Sequence, residues 1–321
     1  GLCGAALSTG QGNASTLLKE KNTMDKEKQT ASLVAPRKRF LREQIQGALS
    51  ERIRKNQAIL AVDAGIGLVS KMAENAGIPL IFATAESRLR MMGLPSCSAY
   101  VAMRNANDLS IEAVQKAARM ARRTPVLAGA CPGDPMREPY DLLLQMRELG
   151  ADGILVGLPG GNGFGPKLDQ DVAGSVLNAQ ADLELIGLAS ELSFYTAAVC
   201  YDALFAVKAA EQGVDLIVAH AGFTVSGFSG ACPEKARDMQ QTIEFVRELA
   251  EAVRKIDPHI PILCHGACLN TPEAVQKCMN ETGVQGFWGG SVFDRIPMET
   301  AIGGTVSELK ALRLDAMEGQ A

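Results

Sequence analysis

Eight short apolar runs recur between residues 58 and 292. Each run is almost continuously apolar and ends in polar or turn residues, a pattern typical of parallel strands that are buried on both faces. The runs are AILAVDAG (58–65), LIFATAES (80–87), TPVLAGACP (124–132), GILVGLPG (153–160), FYTAAVC (194–200), DLIVAHAG (215–222), PILCHGAC (261–268) and GFWGGSV (286–292).

Amphipathic segments with helical periodicity separate these runs. The clearest are 111–123, 139–150, 202–213, 240–255 and 271–283, with a further helix around 181–192. Strict alternation of strand and helix requires parallel strands joined by right-handed crossovers. Eight such units predict an α/β fold of the (β/α)8 TIM-barrel type. An open doubly wound sheet is the alternative.

The N-terminal part has a different character. Residues 1–36 are rich in Ser, Thr and Lys without an apolar period, which predicts a flexible tail. Residues 37–55 carry apolar positions at helical spacing, so we predict an extra N-terminal helix with one buried face. Its apolar positions are Phe40, Leu41, Ile45, Leu49 and Ile53. We therefore predict a tail at 1–36 and a barrel domain at 37–321 that includes this helix.

Composition narrows the function classes. The 321 residues suit one barrel with an extension, and the 47% of hydrophobic residues can bury a large core. A net charge of −4 and 5% aromatic residues give no basic field or stacking platform, so no nucleic-acid partner is expected. No secretory leader or membrane-length apolar run is recognisable, and the eight cysteines form no regular framework. These features predict a soluble cytoplasmic protein with free thiols and no membrane partner.

Candidate chemistry lies at the ends of the predicted strands. The carboxyl ends of barrel strands meet at one mouth, where active sites of this fold lie. Acids, bases and cations follow the eight runs together. They are Asp63, Glu86, Arg88, Arg90, Cys131, Asp134, Asn162, Lys167, Cys200, Asp202, His220, His265, Ser291, Asp294 and Arg295.

The histidines are the most informative of these residues. His220 and His265 end the sixth and seventh runs, and the third histidine, His259, lies in a loop where we expect it to be exposed. Two imidazoles on neighbouring strands could bind a metal, act as acid and base, or polarise a carbonyl group. The alternative is that each is a satisfied structural histidine. We favour a catalytic role for the pair, with Asp63, Glu86 or Asp134 orienting a histidine or binding a divalent metal.

Two groups could hold an anion. Gly289, Gly290 and Ser291 let the backbone approach a negative group, with Arg295 close behind, although a tight structural turn explains them equally. Arg88 and Arg90 follow the second run and could grip a carboxylate or phosphate, and a surface salt-bridge cluster is the alternative.

Cofactor and nucleophile signals are weak. GLPGGNGFG (157–165) and DAGIGL (63–68) lack the arrangement of a dinucleotide fingerprint, so no nicotinamide or flavin is expected. A divalent metal, Mg²⁺ or Zn²⁺, is compatible with the candidate residues, but the sequence does not identify its ligands. Cys131 is a candidate nucleophile only beside a base, and Asp134 could simply cap a helix.

Four blocks of the sequence resemble a known family. TPVLAGACPGDP (124–135), VDLIVAHAGFTVSG (214–227), ILCHGA (262–267) and GFWGGSVFDRIPMETAI (286–302) are similar to the phosphoenolpyruvate hydrolase-like TIM-barrel family. That family is also described as a signal-transduction barrel and forms the C-terminal half of a plant virus-resistance protein. The resemblance runs from about residue 40 to 310.

The resemblance implies a barrel that acts on phosphoenolpyruvate or a relative. It implies a mouth lined by Arg88, Arg90, Asp134, His220, His265, Ser291 and Arg295. The sequence departs from the family pattern at Ala85–Arg88, near Ala173 and Gly174, and at Ala267. Since these positions surround the mouth, a different substrate is compatible with them.

Two functional hypotheses follow. The first is an enzyme, hydrolase or C–C lyase, that acts on a small anionic enol or keto-acid. The second is a non-catalytic sensor or signal-transduction barrel that binds a protein partner. A homo-oligomer is expected in either case, because oligomers are common among barrels and the extra helix offers a contact. The long segment 161–193 after the fourth run is expected to build part of the site or an interface.

Overall fold

Eight parallel strands close into a barrel in which each strand pairs with the next and β8 pairs with β1. The computed structural model describes residues 36–101, 103–157 and 178–313. The strands are β1 (Ile59–Asp63), β2 (Leu80–Ala83), β3 (Val126–Gly129), β4 (Gly153–Val156), β5 (Tyr195–Cys200), β6 (Leu216–His220), β7 (Ile262–His265) and β8 (Gly286–Gly289). The predicted (β/α)8 barrel is confirmed, and the open-sheet alternative is wrong.

Helices follow the strands around the outside of the barrel. They are α1 (Arg42–Arg54), α2 (Gly67–Asn75), α3 (Ala85–Arg90), α4 (Ala106–Met120), α5 (Pro139–Glu148), α6 (Ala179–Glu191), α7 (Ala203–Glu211), α8 (Met239–Arg254), α9 (Pro272–Thr282) and α10 (Arg295–Leu309). Short 3₁₀ turns occupy Ser96–Tyr100 and Pro233–Lys235. Each predicted helix overlaps an observed one.

Alternate residues of the strands fill the barrel interior. Ile59, Leu80, Phe82, Leu216 and Leu263 belong to one buried cluster inside the barrel. A second, larger cluster lies between the strands and the helices. Because successive strand side chains point to opposite faces, the interior set continues through the strand ends and fixes which polar residues face the mouth.

The extra N-terminal helix closes the other end of the barrel. Ile45 and Leu49 of α1 are buried in the interior cluster, and Arg42 binds Asp215, just before β6, with 3.0 Å between Nε and Oδ1. The helix begins at Arg42 rather than residue 37, and its N-cap Leu41 is 61% exposed. Phe40 precedes the helix, and its amide donates to Asp152 Oδ1 at 2.9 Å.

Several expectations fall outside the described residues. They concern nearly all of the predicted tail, most of the glycine-rich stretch 157–165, and Asn162, Lys167, Ala173 and Gly174. Within the described ranges, no helix combines the length and apolar character needed to cross a membrane.

Candidate active site

Four strands bring polar residues to the barrel mouth. Asp63, His220 and His265 are the last residues of β1, β6 and β7, and Thr84 follows β2 directly. All four continue the inward-facing set of their strands and are buried. The register of β6 and β7 pairs His220 with His265, so the two histidines are direct neighbours.

A buried arginine lies between two buried carboxylates. Arg90 Nη2 donates to Asp63 Oδ2 at 2.8 Å, and Arg90 Nε donates to Asp294 Oδ2 at 2.7 Å. Thr84 Oγ1 also donates to Asp63, and Ser96 Oγ accepts from Arg90 Nη1 at 3.0 Å. Burial alone would lower the pKa of Arg90, but Asp294 and Asp63 raise it. The guanidinium is therefore charged and already matched by its neighbours.

Gly290, the residue after β8, makes room for this arginine. A Cβ atom on Gly290 would lie 2.8 Å from Arg90 Nη2 and 3.1 Å from Arg90 Cζ. The Gly290 carbonyl accepts from the amides of Phe293 and Asp294, which forms a tight turn into α10. A Cβ on Gly289 would lie 2.4 Å from the Phe293 ring. The two glycines therefore leave room for the side chains of Arg90 and Phe293. This agrees with the alternative prediction, in which the motif forms a tight structural turn.

The two histidines hold opposite tautomers when neutral. His265 Nδ1 lies 2.7 Å from the Trp288 carbonyl oxygen, which can only accept, so Nδ1 carries the proton and Nε2 a lone pair. His220 Nδ1 accepts from the Gly222 amide at 3.2 Å, so its proton lies on Nε2. The ring centroids are 4.5 Å apart. The pair therefore offers one acceptor and one donor side by side.

Burial keeps both histidines neutral. It lowers the pKa of His265 to about 4, with the Trp288 carbonyl opposing the shift and Arg90 adding to it. It also lowers the pKa of His220 well below its ordinary value, and His265 adds to that shift. Near neutral pH both rings are uncharged, and His265 Nε2 is available as a base.

Glu86 is the third chemical group of the site. It lies in the first turn of α3, is 3% exposed, and neither of its carboxyl oxygens has a hydrogen-bond partner in the described structure. Burial raises its pKa to about 7 and Asp63 adds to the shift, while the nearby backbone, Arg90 and Thr84 oppose it. Near neutral pH a large part of Glu86 is thus a neutral carboxylic acid, a state that can donate a proton.

These groups surround a small cavity. Its lining residues are Asp63, Glu86, Arg90, Ser96, His220, Phe223, Thr224, His265, Trp288 and Ser291. The cavity volume is about 20 Å³, which holds about one water molecule. A substrate would therefore have to open the mouth further.

Two predicted site residues lie elsewhere. Arg88 turns away from the cavity and binds Glu112 Oε2 on α4 at 3.0 Å, as the salt-bridge alternative required. Asp134 follows β3, and its carboxylate accepts from Asn105, Asn107, Arg137 and the Met136 amide. Its carboxylate organises a loop and does not cap α5, whose N-cap is Glu138.

Arg295 supports the rim of the mouth. Its Nη2 donates to the Ser226 carbonyl at 2.8 Å, its Nη1 binds Glu299 at 3.2 Å, and its Nε donates to Ser291 Oγ at 3.2 Å. The guanidinium is buried and matched by Glu299, while Ser291 reaches the cavity. Asp294, the N-cap of α10, accepts from the Arg295 amide.

The cysteines at the strand ends do not act as thiolates. Burial raises the pKa of Cys131 to about 12 and the pKa of Cys200 well above its ordinary value. A protonated, half-buried thiol is a poor nucleophile, so the structure gives Cys131 no such role.

Sequence reasoning missed several residues of the mouth. Thr84 and Trp288 continue the inward set of β2 and β8, and strand parity alone could have identified them. Trp288 stacks on His265 with ring centroids 4.2 Å apart. Tyr100 and Tyr201 join through their hydroxyl oxygens at 2.7 Å. Tyr201 follows β5 directly, but no sequence signal marks Tyr100.

The described side chains do not form a complete set of metal ligands. A divalent ion needs several ligands with free lone pairs. Arg90 already lies between Asp63 and Asp294, where it satisfies an oxygen of each. Within the ranges that the structure describes, no group of three or more His, Cys, Asp or Glu side chains is arranged to hold an ion.

A larger cavity lies at the opposite end of the barrel, beside α1. Its volume is about 440 Å³, and it is lined by Arg42, Gln46, Tyr195, Asp215 and His259 among others. His259 is exposed, as predicted. Asp215 already accepts from Arg42 and Gln46. Because the charge of Asp215 is already paired, the described residues of this cavity form no reactive cluster comparable to the one at the mouth.

The chain is similar to a known protein family and to two plant proteins. A family model described as phosphoenolpyruvate hydrolase-like matches residues 44–312. The chain is 33% identical over 272 residues to two proteins of Solanum lycopersicum, the ToMV susceptible protein tm-1(GCR26) and the ToMV resistance protein Tm-1(GCR237). These matches cover 83% of this chain and 35% of each relative, so the chain spans about a third of their length.

Solved structures share the fold at low identity. Phosphonopyruvate hydrolase in complex with oxalate and Mg²⁺ matches with a TM-score of 0.54 and 14% identity, covering 86% of this chain and 92% of that chain. A 2,3-dimethylmalate lyase, a member of the PEP mutase/isocitrate lyase superfamily, matches with a TM-score of 0.53 and 16% identity, covering 86% and 91%.

Proposed function

Because the chain belongs to the phosphoenolpyruvate hydrolase-like family, we propose that it is an enzyme, a hydrolase or C–C lyase, acting on a small anionic enol or keto-acid. The observation that carries this proposal is the neutral histidine pair of opposite tautomers beside the buried Glu86. Together they supply a base, a hydrogen-bond donor and an acid within one enclosed site.

The two reactions share an enolate. In hydrolysis of an enol phosphate, a water oxygen bonds to phosphorus, the bond from phosphorus to the enol oxygen breaks, and inorganic phosphate and an enolate form. In the lyase version, a hydroxyl loses its proton, a C–C bond breaks, and a carbonyl compound and an enolate form. In both, the enolate gains a proton on carbon to complete the keto-acid.

The described residues match these proton movements. His265 Nε2 accepts the proton that the water or hydroxyl loses. His220 Nε2 donates a hydrogen bond to the oxygen on which negative charge develops, and it can do so while neutral. Glu86, as a carboxylic acid, gives its proton to the enolate. Arg90, fixed by Asp63 and Asp294, and Ser291 line the cavity and are proposed to contact the substrate. Arg295 positions Ser291.

A turnover screen with two matched variants tests the proposal. Phosphoenolpyruvate and a panel of 2-keto acids are assayed with EDTA, Mg²⁺ or Zn²⁺. We expect His265→Ala to lower turnover by about 10²-fold or more, because a positioned base contributes that much. His259→Ala, which removes the exposed third histidine, should leave turnover unchanged.

The non-catalytic sensor is the second candidate, because a cavity of about 20 Å³ is too small for a substrate as it stands. Thermal stabilisation by these compounds without turnover would favour the sensor over the enzyme. Equal turnover by His265→Ala and the wild type would contradict the proposed site.

We further propose a cytoplasmic protein, since the seven described cysteines are free thiols.

A further inference from the structure

The mouth cavity contains one positively charged side chain among the described residues, and two carboxylates already pair with its charge. Arg90 is held by Asp63 and Asp294, and its side chain is 4% exposed. The two histidines are neutral near pH 7 because burial lowers the pKa of each. An anion entering this cavity therefore finds no unmatched positive charge on the described residues that line it.

Glu86 lines the same cavity with both carboxyl oxygens unpartnered among the described residues. If Glu86 were ionised, its charge and that of a bound anion would repel each other across a site sheltered from water. If Glu86 is protonated, its own charge no longer repels the anion and its O–H group can donate to an oxygen of the anion. The two states should therefore differ strongly in their affinity for an anion.

We propose that the barrel mouth takes up its anionic ligand together with one proton, which Glu86 holds. This inference rests on the proposed function, because it assumes that the ligand is a small anion. It adds that one proton is taken up for each anion that binds. Protonation of Glu86, rather than an unpaired cationic side chain, allows the anion to bind.

The groups around Glu86 support a single titration near neutral pH. Asp63 on β1 and Arg90 on α3 are the charged neighbours that act on its carboxyl group. Burial raises the pKa of the other acids nearby and lowers the pKa of both histidines. These neighbours are Tyr100 before α4, Cys131 after β3, Tyr201 after β5, His220 and His265, with Asp182 of α6 acting on both tyrosines. Among these shifted groups of the described mouth, Glu86 alone has a pKa between about 6 and 8.

Calorimetry with oxalate tests this coupling directly. Oxalate is titrated into the full chain at about pH 6 and about pH 8, with EDTA and again with Mg²⁺, in two buffers of different ionisation enthalpy. The difference between buffers gives the number of protons taken up. For the wild type we expect close to one proton per oxalate at pH 8 and much less at pH 6. The dissociation constant should rise about tenfold per pH unit above pH 7.

Glu86→Gln is the informative variant, because an amide has the shape of the protonated acid and does not ionise. It should bind oxalate with no proton uptake and with an affinity that is flat in pH. Glu112→Gln is the matched control, since Glu112 binds Arg88 and Arg104 outside the cavity. It should behave like the wild type.

The outcomes separate this inference from the proposed function. Oxalate binding without proton uptake in the wild type, or with equal uptake in Glu86→Gln, overturns the inference and leaves the proposed anion site intact. Absence of oxalate binding at both pH values, with and without Mg²⁺, contradicts the proposed anion site itself.

Discussion

Glu86 is a carboxyl group that folding removes from water without giving it a partner among the described residues. Its pKa rises from 4.5 to about 7 on burial. Between these two pH values the folded state binds a proton that the unfolded state has lost. The contribution of Glu86 to the free energy of unfolding is therefore fully present below pH 4.5 and is lost as the pH rises to about 7. A shift of this size corresponds to about 3 kcal/mol.

Glu86→Gln should remove that loss. We expect the variant to unfold at a higher denaturant concentration than the wild type at pH 8, and the difference should shrink towards pH 5. Urea unfolding followed by circular dichroism measures it. Glu112→Gln, the exposed-pair control, should show no such pH-dependent gain. A Glu86→Gln variant that is less stable than the wild type at pH 8 would mean that the carboxylate has a partner.

His265 should produce the opposite trend at lower pH. Its pKa falls from 6.5 to about 4 in the folded state, so its contribution is full above pH 6.5 and is lost as the pH falls through about 4. NMR of nitrogen-labelled protein should show a neutral ring with the proton on Nδ1 at pH 7, and His220 with its proton on Nε2. Two rings of the same tautomer, or a charged ring at pH 6, would contradict the donor and acceptor roles.

Individual residues were predictable where strand parity controls them. His220, His265 and Asp63 end strands in the inward set, so their convergence follows from the fold alone. Arg88 and Arg90 could not be separated in the same way, because both lie on the short helix α3 and its orientation depends on packing. That orientation sends Arg88 to Glu112 and Arg90 into the mouth. The pairing of Arg90 with Asp294 joins residues 204 positions apart and has no local signal.

At the scale of elements, the turn from β8 to α10 depends on the absence of a side chain at Gly290. Gly290→Ala would place a methyl group against the Arg90 guanidinium, 2.8 Å from Nη2, and disturb its contacts with Asp63 and Asp294. We expect a loss of about 1–3 kcal/mol in the free energy of unfolding. Chemical denaturation of the variant measures this loss.

Gly304→Ala is the matched control for the same substitution. Gly304 lies in α10 with nothing within 4 Å of a built Cβ atom. Alanine favours a helix interior, so this variant should gain up to about 1 kcal/mol. If both variants changed stability equally, close approach to Arg90 would not be the reason for glycine at position 290.

Strands and outer helices were readable from the sequence because burial imposes a period on them. All eight apolar runs contain a strand, although each strand is shorter than its run. The run 80–87 includes Ala85–Ser87, the first residues of α3, which are as buried as the strand although two of them are polar. Helix α1 begins five residues later than predicted, because Phe40 is held by Asp152, a contact across 112 residues.

The whole molecule follows from strand–helix alternation, but the last helix of the described residues, α10, is unusual. Every residue from 301 to 313 is exposed. Ile302, Val306 and Leu309 are 60%, 49% and 58% exposed and recur at helical spacing, so they form one apolar stripe. An exposed apolar stripe is typical of a surface that another protein covers. The homo-oligomer expected from the sequence would need such a surface, and this stripe is an exposed apolar face of α10 that could serve as its contact.

Charge placed on the stripe should break that association. We expect the wild type to run as a dimer or larger species in light scattering, and Ile302→Glu combined with Val306→Glu to shift it towards the monomer with an unchanged circular dichroism spectrum. Thr300→Glu combined with Ser307→Glu adds the same charge to the opposite side of α10 and should leave the assembly intact. Because two buried carboxylates lose their hydration while exposed ones do not, only the stripe variant has a reason to dissociate. A monomeric wild type at micromolar concentration, or equal dissociation of both variants, would rule out this face as the contact.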